Sequence, residues 1–445
     1  MKNTKKARII VGLGFGDEGK GTMTDFLCRH GNADLVVRYN GGSQAAHNVV
    51  TDEGLHHTFS QFGSGTFIPF VKTLISRYML WDPIALAHET SCLSPKLKHF
   101  ALDRHFIDER APVITPFHVA TNQAREWMRG GKKHGSCGKG IGETMFDIVN
   151  HPDEVIKAID LTNAGKLKAM LEVISERKRN ELAELGLDFG EKLPRTIALS
   201  LNIFSPEKLD QLVDAYRSMA KHYQFLNEKK VADLVQSSKP VFEGAQGVLL
   251  DEWQGFHPYT TWSRIVTENA RSLLRECCFD GEVETVGITR SYTTRHGSGP
   301  FPTEDVGMYG VSLKEHNTLN DWQGGFRSGA LDLVLLKYAA ECTRAHGGLD
   351  SIAVTHVDIL QHRKVLPYVD QYLHDGLPFG RLIPNYKRDL DYQSKLTTML
   401  ENVTIPEIKS VSTEDQLYRL IQESTGSKVK YTSHGACARD KKVIG

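Results

Sequence analysis

The chain has 445 residues, enough for a large hydrophobic core and more than most single domains contain. Hydrophobic residues make up 40% and charged residues 24%, which is ordinary for a globular protein. Lysine plus arginine and aspartate plus glutamate both number 54, so the charge balance favours neither a nucleic-acid nor a membrane partner. No apolar run reaches the length of a membrane span, and we expect no signal peptide.

The seven cysteines have neither the spacing of a disulfide framework nor that of a zinc site. Cys277 and Cys278 are adjacent, which suits neither arrangement. We therefore expect a cytoplasmic protein, because thiols stay reduced in that compartment.

The first predicted elements are a buried strand over residues 7–14, a glycine-rich loop and a helix over residues 19–30. Such a loop presents backbone N–H groups and the positive end of a helix to phosphate. Lys20 adds a mobile charge for the same phosphates. Asp17 is the unusual member, because a carboxylate in a phosphate cradle repels the ligand unless it holds a metal or takes a proton. The loop therefore indicates chemistry on a nucleotide.

Two known motifs overlap in this loop. Its glycines have the spacing of the dinucleotide fingerprint, but that fingerprint needs an acid after the next strand, and the strand predicted over residues 34–40 ends without one. The P-loop pattern fits as far as Lys20, but Gly21 stands where Ser or Thr is required, and Thr22 comes one place late. A tight turn without a ligand is a third interpretation, although so many glycines are costly in backbone entropy.

Strands and helices alternate along the rest of the chain. Further strands are predicted over residues 34–40, 240–243, 283–288 and 351–357, and further helices over residues 205–223, 267–277 and 331–345. Residues 153–197 are charged and helical in pattern, which is typical of a solvated face. This alternation predicts an α/β fold with a large, mostly parallel central sheet flanked by helices. Since no linker is evident, we expect a single domain over residues 1–445, with helical insertions notably over residues 100–235.

Several segments follow one another in the order found in one enzyme family. They are residues 14–22, 36–47, 117–126, 135–142, 242–247, 294–304, 357–358 and 433–435. Over nearly its whole length the chain resembles the adenylosuccinate synthetase family, and several ordered motifs are far more specific than one. The resemblance implies the P-loop-like nucleotide-binding architecture of that family and a homodimer.

The resemblance also implies a two-step ligase reaction. The 6-oxygen of IMP attacks the γ-phosphate of GTP, and the amino group of aspartate then displaces the phosphoryl ester, giving adenylosuccinate, GDP and phosphate. An amide-type oxygen is a poor nucleophile and oxide is a poor leaving group. Removal of the ring proton corrects the first problem, and phosphorylation corrects the second. The implied cofactor is Mg²⁺, with GTP as the phosphoryl donor.

On this resemblance three residues are catalytic. Asp17 is the general base for the ring proton, His47 is the general acid as the phosphoryl group leaves, and Gln246 binds the purine edge. Asp17 and the backbone carbonyl of Ala46 would be ligands of Mg²⁺. The structural alternatives are a carboxylate favoured at a helix N-terminus, a core histidine and a buried amide satisfied by the backbone.

The other expected contacts form four groups. Phosphate of the nucleotide is expected to meet the first loop, at Gly16, Glu18, Gly19, Lys20, Gly21 and Thr22. The acceptor is expected to meet Gln44, Ala45, Cys137, Lys139, Gln246 and Thr261. Guanine is expected to meet His356, Asp358, Ser433 and Gly435. The loop for the amine donor is expected to include Asp321, Gly324 and Arg327. On the residues alone, Asp358 is equally an ordinary strand-end aspartate.

The sequence departs from the family pattern where the amine donor is expected. The family carries Thr-Thr-Gly and an arginine cluster before the helix start that corresponds to residues 329–332. Here only Arg327 remains of that cluster, and Asp321 would repel a carboxylate. An arginine fork is the natural clamp for a substrate carboxylate, so the change indicates a different amine donor or different contacts to the same one.

The acceptor and guanine ends also differ. Gln44 replaces the usual Asn and Cys137 replaces a Thr, whereas Thr261 keeps its place. The arginine that the family takes from its partner subunit has no counterpart near His151, and His356 replaces the guanine lysine. Changes at both substrate ends favour a different acceptor, a different amine, or both.

Three hypotheses follow. The first is an adenylosuccinate synthetase-like ligase, and the second is a paralogous GTP- or ATP-dependent ligase of the same mechanism with another amine donor or acceptor. The third is a nucleotide-binding protein without turnover, against which the intact Asp17, Lys20, His47 and Gln246 argue. A dinucleotide oxidoreductase is disfavoured by the missing acid after the second strand. All expected ligands are small molecules.

Overall fold

The computed structural model describes residues 5–130, 135–189, 193–306 and 324–444. These residues form thirteen α-helices. They are α1 (Lys20–Gly31), α2 (Pro83–Leu93), α3 (Pro116–Met128), α4 (Ile141–Asn150), α5 (Ala164–Glu184), α6 (Arg195–Leu201), α7 (Pro206–Ala220), α8 (Glu228–Ser237), α9 (Glu268–Glu276), α10 (Leu333–Ala345), α11 (Asp358–Arg363), α12 (Leu390–Glu401) and α13 (Glu414–Thr425). No described helix has the combination of length and apolar character that a membrane crossing needs.

The same residues form nineteen strands. They are β1 (Lys6–Gly12), β2 (Leu35–Arg38), β3 (His47–Val50), β4 (His56–Phe59), β5 (Lys72–Ile75), β6 (His105–Asp108), β7 (Gln224–Leu226), β8 (Pro240–Glu243), β9 (Glu282–Arg290), β10 (Thr293–His296), β11 (Phe326–Gly329), β12 (Leu331–Asp332), β13 (Ser351–Thr355), β14 (Leu366–Val369), β15 (Tyr372–His374), β16 (Leu377–Phe379), β17 (Lys409–Val411), β18 (Lys428–Ser433) and β19 (Lys441–Val443).

Ten of these strands form one central sheet, in the order β19-β18-β13-β9-β1-β8-β2-β5-β6-β7. Every neighbouring pair is parallel except β18 and β19. The five strands predicted from the sequence are β1, β2, β8, β9 and β13, and they are contiguous at the centre of the sheet. The prediction of a large, mostly parallel sheet is therefore confirmed. Buried strands of this kind are apolar along their whole length, because helices cover both faces.

The four predicted helices are also present, as α1, α7, α9 and α10. Ser205 is the N-cap residue of α7, with Pro206 at the first helical position as expected, but its hydroxyl donates to the carbonyl of Asn202 and caps no N–H group. The charged interval 153–197 contains α5, whose apolar side packs into a core shared with α3 and α7. The division of the chain into domains remains a prediction.

The topology determines where a site can form. Since β1, β8, β9 and β13 are parallel neighbours, the loops that follow them meet at one edge of the sheet. These loops contain the glycine-rich segment after β1, Gln246 after β8 and His356 after β13. Residues far apart in the sequence are thereby brought to one place.

Candidate active site

A large cleft of about 1860 Å³ opens at this edge of the sheet. Most of the site residues predicted from the sequence line it. They are Gly16, Asp17, Gly19, Lys20, Gly21, Thr22, Gln44, Ala45, Ala46, His47, Cys137, Lys139, Gln246, Thr261, His356, Asp358, Ser433 and Gly435. Glu18, Gly324 and Arg327 do not line it, and Asp321 lies outside the described residues.

The glycine-rich loop is held by its own Glu18. One carboxylate oxygen of Glu18 accepts hydrogen bonds from the N–H groups of Gly14 at 3.0 Å and Gly16 at 2.8 Å. The other oxygen lies 2.5 Å from Nζ of Lys20, and both side chains are buried. Lys20 is therefore held in an ion pair with Glu18 while it lines the cleft, and its contact with phosphate stays a prediction. The Glu18 carboxylate holds the loop in shape, and Glu18 does not line the cleft. Of Glu18, only the backbone N–H is therefore left to bind a phosphate.

Gly21 is where the P-loop pattern fails, and the structure supplies a reason. A Cβ atom on Gly21 would lie 2.6 Å from Cβ of His47 and 3.1 Å from its Cα. Real Cβ atoms do not approach that closely, so only glycine lets the start of α1 lie directly against the start of β3. A Ser or Thr at this position would displace His47, which the sequence predicts as the general acid.

His47 is paired with a buried carboxylate from the neighbouring β8 strand. Its Nδ1 lies 2.8 Å from Oε1 of Glu243, which is fully buried and also bonded to the hydroxyl and the N–H of Ser64. Burial raises the pKa of this carboxyl, but the contacts with His47, Arg38 and Ser64 outweigh burial. The pKa of Glu243 is lowered to about 2.

The protonation state of His47 follows from this pairing. Burial lowers the pKa of His47, and the adjacent Glu243 offsets only part of that effect. The imidazole is therefore neutral near pH 7. The ionised Glu243 accepts the Nδ1 proton, which leaves Nε2 for a ligand.

Two glutamines in the cleft carry unused hydrogen-bonding groups. Both amide atoms of Gln44 and Oε1 of Gln246 are buried, and no described residue gives any of these three atoms a hydrogen bond. A Cβ on Gly41 would lie 3.1 Å from Gln246 Oε1 and 3.4 Å from Gln44 Nε2, so the two amides face one region. Unpaired buried amides are costly, so this pair favours a polar ligand over the structural alternative of a satisfied buried glutamine.

The residues expected at guanine come together from two adjacent strands. His356 and Asp358 follow β13, whereas Ser433 ends β18, and the N–H of Val357 donates to the carbonyl of Ser433 at 3.0 Å. Burial, reinforced by nearby cations, lowers the pKa of His356 well below its usual value, so this imidazole is neutral. At the same edge the Thr22 hydroxyl donates to the carbonyl of Ala436 at 2.9 Å, which ties α1 to the C-terminal loop.

The two described residues of the predicted amine-donor loop, Gly324 and Arg327, have partners within the protein. The guanidinium of Arg327 contacts Glu304 at 2.8 Å and donates to the carbonyls of Gly297 and Gly299. The carbonyl of Gly324 accepts from Nε2 of His296 at 3.0 Å. A carboxylate that binds Arg327 would have to replace Glu304, so Arg327 is not a ready clamp in this structure.

Three residues of the site were not predicted as functional from the sequence. Glu243 lies in the segment 242–247 that carries the family resemblance, but nothing local indicates that it contacts His47. Arg290 is the last residue of β9, the strand beside β1, and Ser291 follows it. Their position after a predicted strand could have indicated a role in the site, because polar side chains at the carboxyl ends of neighbouring parallel strands converge.

A family model for adenylosuccinate synthetase matches residues 9–442. The chain belongs to the adenylosuccinate synthetase family. It is similar to the adenylosuccinate synthetase of Clostridium botulinum (strain 657 / Type Ba4), with 34% identity over 83% of this chain and 82% of that protein. It is also similar to that of Myxococcus xanthus, with 30% identity over 96% of both chains.

Two solved structures have the same fold. Fully ligated adenylosuccinate synthetase from Plasmodium falciparum superposes with a TM-score of 0.76 at 19% identity, over 100% of both chains. Cyanophage S-2L succinoaminodeoxyadenylate synthetase, bound to dGMP and dATP as an energy donor, superposes with a TM-score of 0.59 at 14% identity, over 99% of this chain and 96% of that chain. The predicted fold class and the predicted family are both confirmed.

Adenylosuccinate synthetases are GTP-using, Mg²⁺-dependent ligases. This chain is an enzyme, a ligase that forms a C–N bond. The described residues contain no cluster of three or more His, Cys, Asp or Glu side chains able to hold a metal ion. A cation here would therefore take one carboxylate and a carbonyl from the protein and its remaining ligands from phosphate and water. That donor set suits Mg²⁺, and Asp17 and Ala46 in the cleft fit it.

Proposed function

We propose that this protein uses GTP to phosphorylate the 6-oxygen of IMP and then joins aspartate to the ring, giving adenylosuccinate, GDP and phosphate. The observation that carries the proposal is the Glu243–His47 pair, packed directly against the glycine-rich loop that bears Asp17. A candidate base, a candidate acid and a phosphate cradle thus share one cleft. Phosphoryl transfer needs little more from a protein than positioning and charge stabilisation.

Each residue has a defined part in this reaction. Asp17 removes the ring proton next to the carbonyl, which makes the oxygen nucleophilic. The N–H groups of Gly19 and Gly21 and the ammonium of Lys20 bind phosphate oxygens. His47 takes a proton from solvent at Nε2 and, as an imidazolium paired with Glu243, stabilises the charge that develops as GDP leaves. Bound Mg²⁺, held by Asp17 and the Ala46 carbonyl, would neutralise phosphate charge.

A second candidate is a ligase of the same mechanism with another amine donor or acceptor. It is favoured by the hydrogen bond that Arg327 donates to Glu304. Arg327 is the one arginine that remains of the family's cluster for the substrate carboxylate, and here it binds a carboxylate of the protein instead. The cyanophage enzyme, whose structure holds dGMP and dATP, is an example of this fold with nucleotides other than IMP and GTP. Both candidates assign the same parts to Asp17 and His47.

We propose further that the enzyme is a cytoplasmic homodimer. Phe146 and Val149 of α4 line the cleft and are 38% and 59% exposed, and a partner subunit would cover them. Light scattering of the purified protein measures the oligomeric state, and a monomer at micromolar concentration would contradict the proposal.

The reaction is tested by phosphate release from the purified protein with Mg²⁺, GTP and IMP, with and without aspartate. We expect aspartate-dependent release, with adenylosuccinate identified by mass spectrometry. Chelation of Mg²⁺ should abolish the release. If GTP binds but no product forms, other amines and acceptors, including dGMP, should be screened.

The first step can be tested without knowing the amine donor. In GTP labelled with ¹⁸O at the β–γ bridge, reversible phosphoryl transfer lets the label scramble into the non-bridging β positions. We expect scrambling that needs IMP but not aspartate. Scrambling with another acceptor alone would favour the second candidate.

The Glu243–His47 pair predicts a pH dependence. Glu243→Gln keeps an oxygen that can accept the Nδ1 proton but removes the negative charge that raises the pKa of His47. Since a general acid must be protonated, activity is lost as pH rises through the pKa of His47. We therefore expect kcat to fall about 10²-fold and the basic limb of the pH profile to move to lower pH.

A suitable control is Glu284→Gln, which changes a buried carboxylate outside the cleft. Its pH profile of kcat should match that of the unmodified enzyme. A basic limb that stays in place in Glu243→Gln would show that the titration of His47 does not limit the reaction.

A further inference from the structure

Three cleft residues have backbone conformations that side chains rarely adopt. Asp17, Gln246 and His356 have φ values of 61°, 56° and 57°, in the left-handed region. Such conformations persist only where surrounding contacts enforce them, and they concentrate at functional sites. The sequence predicts Asp17 as the base and His356 as a guanine contact, so what holds these two residues matters for the reaction.

Arg290, the last residue of β9, and Ser291, which follows it, hold both of them. Nε of Arg290 donates to the carbonyl of Asp17 at 2.5 Å. The hydroxyl of Ser291 donates to the carbonyl of His356 at 2.7 Å. The Ser291 N–H donates to the carbonyl of Thr355 at 3.0 Å, which anchors this segment to β13. Successive side chains of an extended chain point in opposite directions, so one strand end reaches two loops.

We infer that Arg290 and Ser291 form a clamp, in which Arg290 positions Asp17 for proton removal and Ser291 positions His356 for nucleotide recognition. The inference rests on the proposed function of the cleft and adds two positioning residues to it. Neither residue needs to contact a substrate for the clamp to act, since both work through backbone carbonyls.

The Arg290 side chain is itself fixed on several sides. Its Nη1 donates to the hydroxyl of Tyr292 at 2.5 Å, and its guanidinium lies 5.2 Å from the centre of the Tyr292 ring. It also lies 5.8 Å from the centre of the Phe326 ring, at the start of β11. Arg290 is only 5% exposed. A planar guanidinium can make these contacts together, whereas the ammonium of a lysine cannot.

The clamp predicts separable kinetic effects. Arg290→Lys keeps the positive charge but loses the planar guanidinium, which donates to the Asp17 carbonyl and to the Tyr292 hydroxyl at the same time. The backbone of Asp17 is then less firmly positioned. We expect kcat to fall about 10- to 100-fold with the KM for GTP changed less than about twofold. Ser291→Ala frees the His356 carbonyl. We expect the KM for GTP to rise about 3- to 10-fold with kcat nearly unchanged, together with weaker discrimination of GTP from ATP.

Matched controls exist outside the cleft. Arg271→Lys changes an arginine that donates to Thr285 of the same strand, and Ser427→Ala removes a buried serine hydroxyl that donates to the carbonyl of Leu349 at 2.8 Å. Both controls should leave kcat and KM unchanged. Crystal structures of the two clamp variants provide a readout that does not depend on turnover. We expect Asp17 to leave the left-handed region in Arg290→Lys, and His356 to leave it in Ser291→Ala.

Two results would overturn the clamp. One is the same change of kcat and KM in both variants, which a general loss of folding would produce. The other is retention of both left-handed conformations in the variant crystals. If the unmodified protein shows neither phosphate release nor isotope scrambling, the proposed function fails, and the crystal structures still decide whether the clamp exists.

Discussion

Replacement of Asp17 by Asn is expected to lower kcat by about 10²- to 10⁴-fold, the usual contribution of a general base. Asn removes the charge of Asp17 without disturbing the backbone. Asp17 has a φ of 61°, and Asn tolerates the left-handed region as well as Asp does. The backbone of the loop should therefore stay in place while the carboxylate is lost. Phosphate release with GTP and IMP measures the effect, and GDP binding in the absence of Mg²⁺ should be retained.

Asp375→Asn is the matched control for this variant. Asp375 also has a positive φ, of 51°, but it lies between β15 and β16, away from the cleft. Its kcat should equal that of the unmodified enzyme. If Asp17→Asn also turned over normally, the assignment of the base would be wrong. If neither the variant nor the unmodified protein turned over, a nucleotide-binding protein without catalysis would be the better description.

Gly21→Ala is expected to have the second largest effect. The added Cβ would lie 2.6 Å from Cβ of His47, and neither atom is the end of a flexible side chain. Ala is the better helix former by about 1 kcal/mol, but overpacking of this kind costs about 1–3 kcal/mol. We expect a lower Tm and a kcat reduced about 10²-fold, because displacement of a catalytic group by 1 Å costs about that much.

Gly165→Ala separates the steric effect from helix propensity. Gly165 lies near the start of α5, and the nearest atom to an added Cβ is 3.8 Å away. This control should be neutral or slightly stabilising, with unchanged kcat. Equal behaviour of the two variants, measured by thermal unfolding and phosphate release, would show that the close approach of α1 and β3 is not required.

The central strands and the phosphate loop could be predicted from local patterns. β1, β8 and β13 are buried on both faces, so they are apolar runs between turn residues. Helix caps and glycines are likewise local signals, which explains why α1, α9 and α10 were found with small errors at their ends.

The contacts that organise the site could not be predicted in the same way. His47 meets Glu243 across 196 positions and Asp17 meets Arg290 across 273. A sequence pattern gives the period of an element but not the element beside which it will lie. The direction of the Glu18 carboxylate, and with it the fixed position of Lys20, also depends on how the loop closes.

By itself, the sequence of this protein determined the alternating α/β pattern, the glycine-rich loop and the ordered motifs of its family, because these depend on neighbours along the chain. The tertiary structure alone decided that β9 lies beside β1, that Glu243 faces His47, and that Arg327 is occupied by Glu304. The physical reason is that these contacts depend on strand order and side-chain packing, where distant residues compete for one place and burial and charge select the partner.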